Sequence, residues 1–252
     1  MKTLIRNGQS IDRFIPRELR DMFYRNPNPE HKFARRNGYT PHSFITNGLV
    51  LYLPLWALKG DKIRSVDAYR HIGDITGALW RDNGRWFDGV NDAIDFATST
   101  ILQTRDNITV EAWFNTSDVT RLQAPVGRWN GVDQWVLKMS ASKMNVAVNT
   151  AGGKYEQTGN GALTNDTWHH AALTYLASDG LFSVYLDGVL DEEMATDGNV
   201  LSASTGYLSV GSSGESSQWY LGLIGEVRYY TRKLSLAELQ HNRNCTKGGT
   251  HN

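Results

Sequence analysis

The alternation of apolar and polar positions is clearest between residues 168 and 190. In the run 181–186, Phe182, Val184 and Leu186 fall on one side, and Ser183 and Tyr185 on the other. A period of two marks a strand with one buried face. A second β-rich run, 168–176, precedes it across a Ser178-Asp179-Gly180 turn, and Asp187-Gly188 supplies the positive-φ residues of a tight hairpin. The stretch therefore predicts three strands of an antiparallel meander. The pattern recurs along the chain. Ile108, Val110, Ala112 and Phe114 share a face, and residues 49–56 predict a first strand, at an edge or bulged by Pro54. Residues 93–96, 134–139, 144–149, 207–211 and 223–230 read as further strands, the middle pair as a hairpin through 140–143. Residues 59–84 read as loop-rich. Ser235-Leu236-Ala237-Glu238 is a capping box that opens a short helix to about Asn242. Many short strands without βαβ alternation predict an all-β, two-sheet antiparallel jelly-roll sandwich.

Residues 1–47 break this pattern. Ile15, Leu19, Met22 and Phe23 fall on one helical face after Pro16, and Asn26-Pro27-Asn28-Pro29 stops the helix. A basic stretch dotted with aromatics follows, in which Arg25, Lys32, Phe33, Arg35, Arg36 and Tyr39 are the contact candidates. Residues 1–47 carry nine Lys/Arg against four Asp/Glu, a net of +5, and residues 48–252 carry 17 against 22, a net of −5. A basic leader on an acidic body reads as an assembly arm that docks on protein subunits, including other copies of the chain. No nucleic-acid motif accompanies it, so protein docking is the preferred reading. The chain divides into an arm (1–47), a jelly roll (48–243) and a tail (244–252).

Composition changes little in this picture. One cysteine, Cys245, excludes an intramolecular disulfide. The first residues lack the apolar core of a signal peptide, and the longest apolar run, 48–58, is too short to span a bilayer, so no membrane insertion is expected.

Five segments carry a resemblance. They are Phe87-Asp88-Gly89 with Asp92 and Ile94; Ile108-Thr109-Val110-Glu111-Ala112-Trp113-Phe114; Trp168-His169-His170 with Ala172; Tyr185 with Asp187-Gly188; and Gly225-Glu226-Val227-Arg228 leading to Leu234-Ser235 and Glu238. Together they resemble the laminin-G-like and pentraxin-like branch of the concanavalin A-like lectin/glucanase jelly rolls, over about residues 48–243. The resemblance implies a mostly non-catalytic fold that binds glycans, lipid headgroups or proteins, often through calcium in loops at one rim. Pentraxins place an adjacent Asp-Asn pair ahead of a core strand, and Asp133-Gln134 stands there. The acidic loop that completes such a site is here residues 211–218, where only Glu215 and Gln218 offer suitable oxygens. This departure leaves room for at most one calcium ion. Trp129, Trp219 and Tyr220 are the candidates to stack on a ligand near the same rim.

Catalysis has less support. Glycanases of this fold carry Glu-x-Asp-x-x-Glu along one strand, and no stretch matches. Asp191, Glu192 and Glu193 are consecutive and so alternate across a sheet, while Glu111 and Glu226 stand alone on theirs. Asp88-Gly89 reads as a turn beside Asp92 and Asp95. His169 and His170, adjacent on a strand, point to opposite faces and do not share a metal. No glycine-rich phosphate loop occurs. The expectation is a non-enzymatic virion surface component: a capsid decoration, head fibre or tail protein. It would be made in the host cytoplasm, held by its arm, and would show a body that binds host glycans. A free lectin or adhesin at an extracellular surface is the alternative, and a glycoside hydrolase the third reading.

Overall fold

The computed structural model describes residues 5–6, 9–10, 44–129, 134–214 and 218–250, with 5–6, 9–10 and 246–250 described by backbone alone. Ile5–Arg6 and Gln9–Ser10 pair antiparallel. The expected helix after Pro16 lies outside the described residues.

Among the described residues the body is built from sixteen strands. They are β1 (Leu49–Pro54), β2 (Lys62–Arg64), β3 (Ile72–Thr76), β4 (Leu79–Arg81), β5 (Gly84–Asp88), β6 (Ala93–Phe96), β7 (Asn107–Asn115) and β8 (Gln123–Arg128). Then come β9 (Trp135–Ser140), β10 (Lys143–Thr150), β11 (Gly153–Thr158), β12 (His169–Leu176), β13 (Leu181–Leu186), β14 (Val189–Ala195), β15 (Leu208–Val210) and β16 (Leu221–Tyr230). Among the described residues there is one α-helix, α1, at Leu236–Thr250, and a short 3-10 turn at Thr100–Gln103. The first sheet runs β11-β10-β9-β8-β15-β6-β3-β2. The second runs β14-β13-β12-β7-β16-β5-β4, and β1 pairs with the far half of β16. Every pairing is antiparallel, and the two sheets face each other as a sandwich.

The core lies between the sheets. Val110, Ala112 and Phe114 of β7, Leu173 and Tyr175 of β12 and Phe182, Val184 and Leu186 of β13 meet Trp135, Leu137, Val146 and Val148 of the first sheet. The predicted meander is present, with Asp187 at φ +51° and Gly188 at +83° in its turn. One detail differs from expectation. Tyr185, on the polar side of β13, is buried as well, in a cluster with Ala172, Tyr230, Leu234 and Leu239. Helix α1 covers the outer face of the second sheet there, so a strand with clean alternation is closed on both sides.

The loop-rich residues 59–84 also hold three short strands, β2, β3 and β4. These strands are short and largely exposed, with β2 and β4 at sheet edges and β3 next to one, so hydrophobic alternation does not announce them. The expected hairpin joins β9 and β10, turning on Ala141 and Ser142, both at positive φ (50° and 64°) although neither is glycine. Helix α1 opens with the expected capping box. Ser235 N–H donates to Glu238 Oε2 (2.9 Å), and Glu238 N–H donates to Ser235 Oγ (3.3 Å). It runs to Thr250, past the expected end near Asn242. No helix among the described residues is long and apolar enough to cross a membrane.

Leu173 is fully buried at the centre of the sandwich, whereas Leu122 is exposed. Leu173→Ala is expected to cost about 2–5 kcal/mol in urea unfolding, and Leu122→Ala no more than about 0.5 kcal/mol.

Candidate functional site

Two places gather the candidate side chains. The first is the outer face of the second sheet. Antiparallel register sets Glu111 of β7 opposite Arg228 of β16, and puts His170 of β12 beside Trp113. His170 Nε2 lies 3.1 Å from Glu111 Oε2, and an Arg228 N–H reaches the same oxygen at 3.4 Å. Asn242 of α1 donates from its amide to Glu111 Oε1 (2.7 Å) and to the Tyr230 hydroxyl (3.0 Å). Arg228 also donates to Glu226 (2.9 Å), which accepts the Tyr52 hydroxyl at 2.5 Å. Phe44 closes the cluster, its ring centre 4.8 Å from the guanidinium carbon of Arg228. Ile45 N–H donates to Asn242 Oδ1 (2.8 Å), and the Tyr230 hydroxyl donates to Ile45 O (3.0 Å).

Glu111 and Glu226, which look solitary in the sequence, thus share one arginine. Burial works against the Arg228 charge, but Glu226, with Tyr230 and Glu111, outweighs it and raises its pKa above the usual arginine value. Burial likewise drives the Tyr230 hydroxyl well above its usual range. Both carboxylates are sealed from solvent with their oxygens engaged. A general acid or nucleophile must touch substrate, and these groups touch the protein instead.

The other histidine faces the opposite way, as alternation requires. Thr164 N–H donates to His169 Nε2 (3.1 Å), so Nε2 carries no proton and Nδ1–H donates to Asp187 (2.8 Å). Burial pushes the Asp187 pKa up, but the bonds from His169 and from His170 N–H prevail and hold it below the usual carboxylate value. The pair fixes the β13–β14 turn. Asp88 is a turn residue as well: its Oδ1 accepts Val90 N–H (2.8 Å) and Asn91 N–H (3.2 Å).

The second place lies over the outer face of the first sheet. Trp129 N–H donates to Ser213 O (2.8 Å), and a side chain at Gly127 would meet the Ser213 backbone at 2.9 Å. The loop after β8 and the loop after β15, chosen separately in the sequence, are therefore in contact. Asp133 and Glu215 lie outside the described residues. Gln134 is fully buried, and its side-chain amide finds no hydrogen-bond partner among the described residues. Such an orphan costs about 1–3 kcal/mol. Its Oε1 fits the role of one oxygen ligand, but calcium takes six to eight. No group of three or more metal-capable His, Cys, Asp or Glu side chains occurs among the described residues. Trp129 is only 5% exposed, packed with Ala124, Val136 and Ala147, and Lys154 Nζ lies 5.4 Å from its ring centre. Trp219 is half-buried beside these loops. Tyr220 is a correction. Its ring sits edge-on to Phe87 and Phe114 inside the sandwich, so it is a core residue and not a stacking platform. The assembly residues Arg25, Lys32, Phe33, Arg35, Arg36 and Tyr39 lie outside the described residues.

Comparison with known proteins agrees with this architecture. The laminin G profile of the concanavalin A-like lectin/glucanases superfamily matches residues 88–240. The chain belongs to this family. No curated protein matches the sequence. Among solved structures, the binding domain of Paraclostridial Mosquitocidal Protein 1 superposes with a TM-score of 0.65 at 13% identity, covering 78% of this chain and 52% of that one. The receptor-binding domain of botulinum neurotoxin C/D mosaic serotype gives 0.64 at 12%, covering 80% and 52%. The botulinum neurotoxin serotype D domain in complex with N-acetylneuraminic acid gives 0.63 at 11%, covering 80% and 52%. The laminin-G-like chain spans about half the length of these toxin domains, and at such identities the likeness is one of fold.

Glu111→Gln leaves Arg228 facing one carboxylate where it had two, and is expected to cost about 3–5 kcal/mol in urea unfolding. The capping box adds a pH dependence. Arg232 grips Glu238 with two N–H donors (3.0 and 2.7 Å), which outweighs its burial and holds its carboxyl at about 2. The folded pKa is lowered, so this contribution is complete above the ordinary glutamate value and is lost as pH falls towards 2. Melting temperatures from pH 6 to pH 2 should fall less in Glu238→Gln than in the parent chain.

Proposed function

We propose that this laminin-G-like chain is a non-catalytic binding module, anchored by its N-terminal arm and displaying loops that bind a glycan. The observation that carries the reading is the placement of its two ends of chemistry. The arm joins the body at Phe44, on the outer face of the second sheet, where Phe44, Tyr52 and Val66 cluster with Cys245 packed against them. The paired loops after β8 and β15 lie over the outer face of the first sheet. Attachment and display thus fall on opposite sides of the sandwich. Among fold neighbours, one toxin domain is described with N-acetylneuraminic acid and another with rat synaptotagmin II. A glycan or protein ligand is therefore the class we assign to these loops, with Trp219 as the contact. Asp133, Gln134 and Glu215 would be the ligands of a single calcium ion.

The net charge of +5 before residue 48 and −5 after it supports docking of Arg25, Lys32, Arg35 and Arg36 on an acidic subunit, with Phe33 and Tyr39 as apolar anchors. The setting we assign is a virion surface, in which the arm joins a capsid or tail and the body faces outward. A free lectin is the second reading, supported by neighbours that are described as a binding domain and a receptor-binding domain. Light scattering on the full chain and on a chain starting at Phe44, which keeps the Arg228 contact, separates the two. The anchored module predicts assembly of the full chain alone; equal monomeric masses would sink the arm's role. A glycan array probed with the shorter chain tests the loops, with Trp219→Ala expected to lower the signal.

A further inference from the structure

We propose a second ligand site: a tryptophan stripe across the open half of the second sheet's outer face, which takes an extended, uncharged oligosaccharide. The proposal rests on the lectin-like reading above but places the sugar on a different surface.

The stripe follows from register. Leu79 of β4 pairs with Trp86 of β5, Trp86 pairs with Leu223 of β16, and Leu223 pairs with Asn115 of β7. The next pair along β7 and β12 is Phe114 with His169, so Trp168 continues the row beside Asn115. The neighbours Phe87, Ile224 and Phe114 turn inward to the core. By alternation the row itself faces outward, on the same side as Trp113, Glu111 and Arg228. Helix α1 meets that side at Trp113, where the Arg243 guanidinium carbon lies 5.8 Å from the indole centre. Beyond it, Leu79 is 51% exposed, and Trp86, Leu223, Asn115 and Trp168 are half-buried.

The chemistry of the row suits a saccharide. Leu-Trp-Leu-Asn-Trp carries no charge, and the flanking Arg81 and Asp88 on the same side have opposite signs. Strands about 4.8 Å apart put the two tryptophans about 14 Å apart across three spacings, too far for one sugar ring and suited to a chain of them. Indole faces offer platforms to the apolar faces of pyranose rings. Between them the Asn115 side-chain amide, with two donors and an acceptor, makes no hydrogen bond to the described residues, nor does the Trp86 N–H. A sugar hydroxyl on this face would accept from the Trp86 N–H.

The test is calorimetric titration of the full chain with cellohexaose, xylohexaose, mannohexaose and laminarihexaose, and with their monosaccharides. At least one hexasaccharide should bind and its monosaccharide should not. Trp86→Ala and Trp168→Ala should each weaken binding about three- to tenfold, Asn115→Ala should weaken it too, and Trp86→Phe should largely preserve it. Trp219→Ala should leave it unchanged. Melting curves identify any variant that fails to fold, and the remaining two positions then carry the result. If no hexasaccharide binds, or if binding survives all three stripe variants, the stripe is wrong. Loss only in Trp219→Ala would sink the stripe and keep the loop-based function; no binding here together with an empty glycan array would sink both. Self-association of the full chain that Trp86→Ala abolishes would overturn the proposal in favour of an interface between copies.

Discussion

The buried ionic cluster around Arg228 is the constraint on which the rest of the molecule depends. Two carboxylates and a guanidinium are withdrawn from water, and such burial is tolerated only with close geometry and full hydrogen bonding. That geometry needs β1, β7, β12, β16, α1 and the segment at Phe44 in place together. Association of any one with the others is thereby tied to all of them. Asn242 shows the coupling most directly, because one side chain joins Glu111, Tyr230 and the backbone of Ile45.

This arrangement decides what each surface of the sandwich can do. Helix α1 and Phe44 seal half of the second sheet's outer face, which removes Glu111 and Glu226 from any substrate and fixes where the arm departs. The other half of that face carries the tryptophan row, with Leu79 exposed at its end. The first sheet's outer face is crossed by the loops after β8 and β15, where Gln134 is buried with an unpaired amide.

Much of the fold was legible in the residues. Strands with one strongly apolar side, such as β7, β12 and β13, announced themselves by period, and the Ser235–Glu238 capping box marked the start of α1. Polar edge strands such as β2 and β11 did not, because an exposed strand has no hydrophobic face to show. Tyr220 was misread for a related reason. Its local sequence, Ser216-Ser217-Gln218-Trp219-Tyr220, has the polar character of a loop, and only the closing of the sandwich puts its ring between Phe87 and Phe114. Trp129 and Trp219 sit side by side with core positions in sequence, and burial alone tells a platform from packing.

By itself the sequence determined the fold class, the meander, the turn at Asp187-Gly188, the family and the charge division between arm and body. All of these follow from local period, turn chemistry or composition, which need no knowledge of distant partners. Only the tertiary structure decided which charges meet. Glu111 lies 59 residues from His170 and 117 from Arg228, and no local pattern encodes such a pairing. The stripe is of the same kind: Leu79, Trp86, Asn115, Trp168 and Leu223 become neighbours only when strand register aligns them, because a sheet assembles its surface across strands and not along the chain.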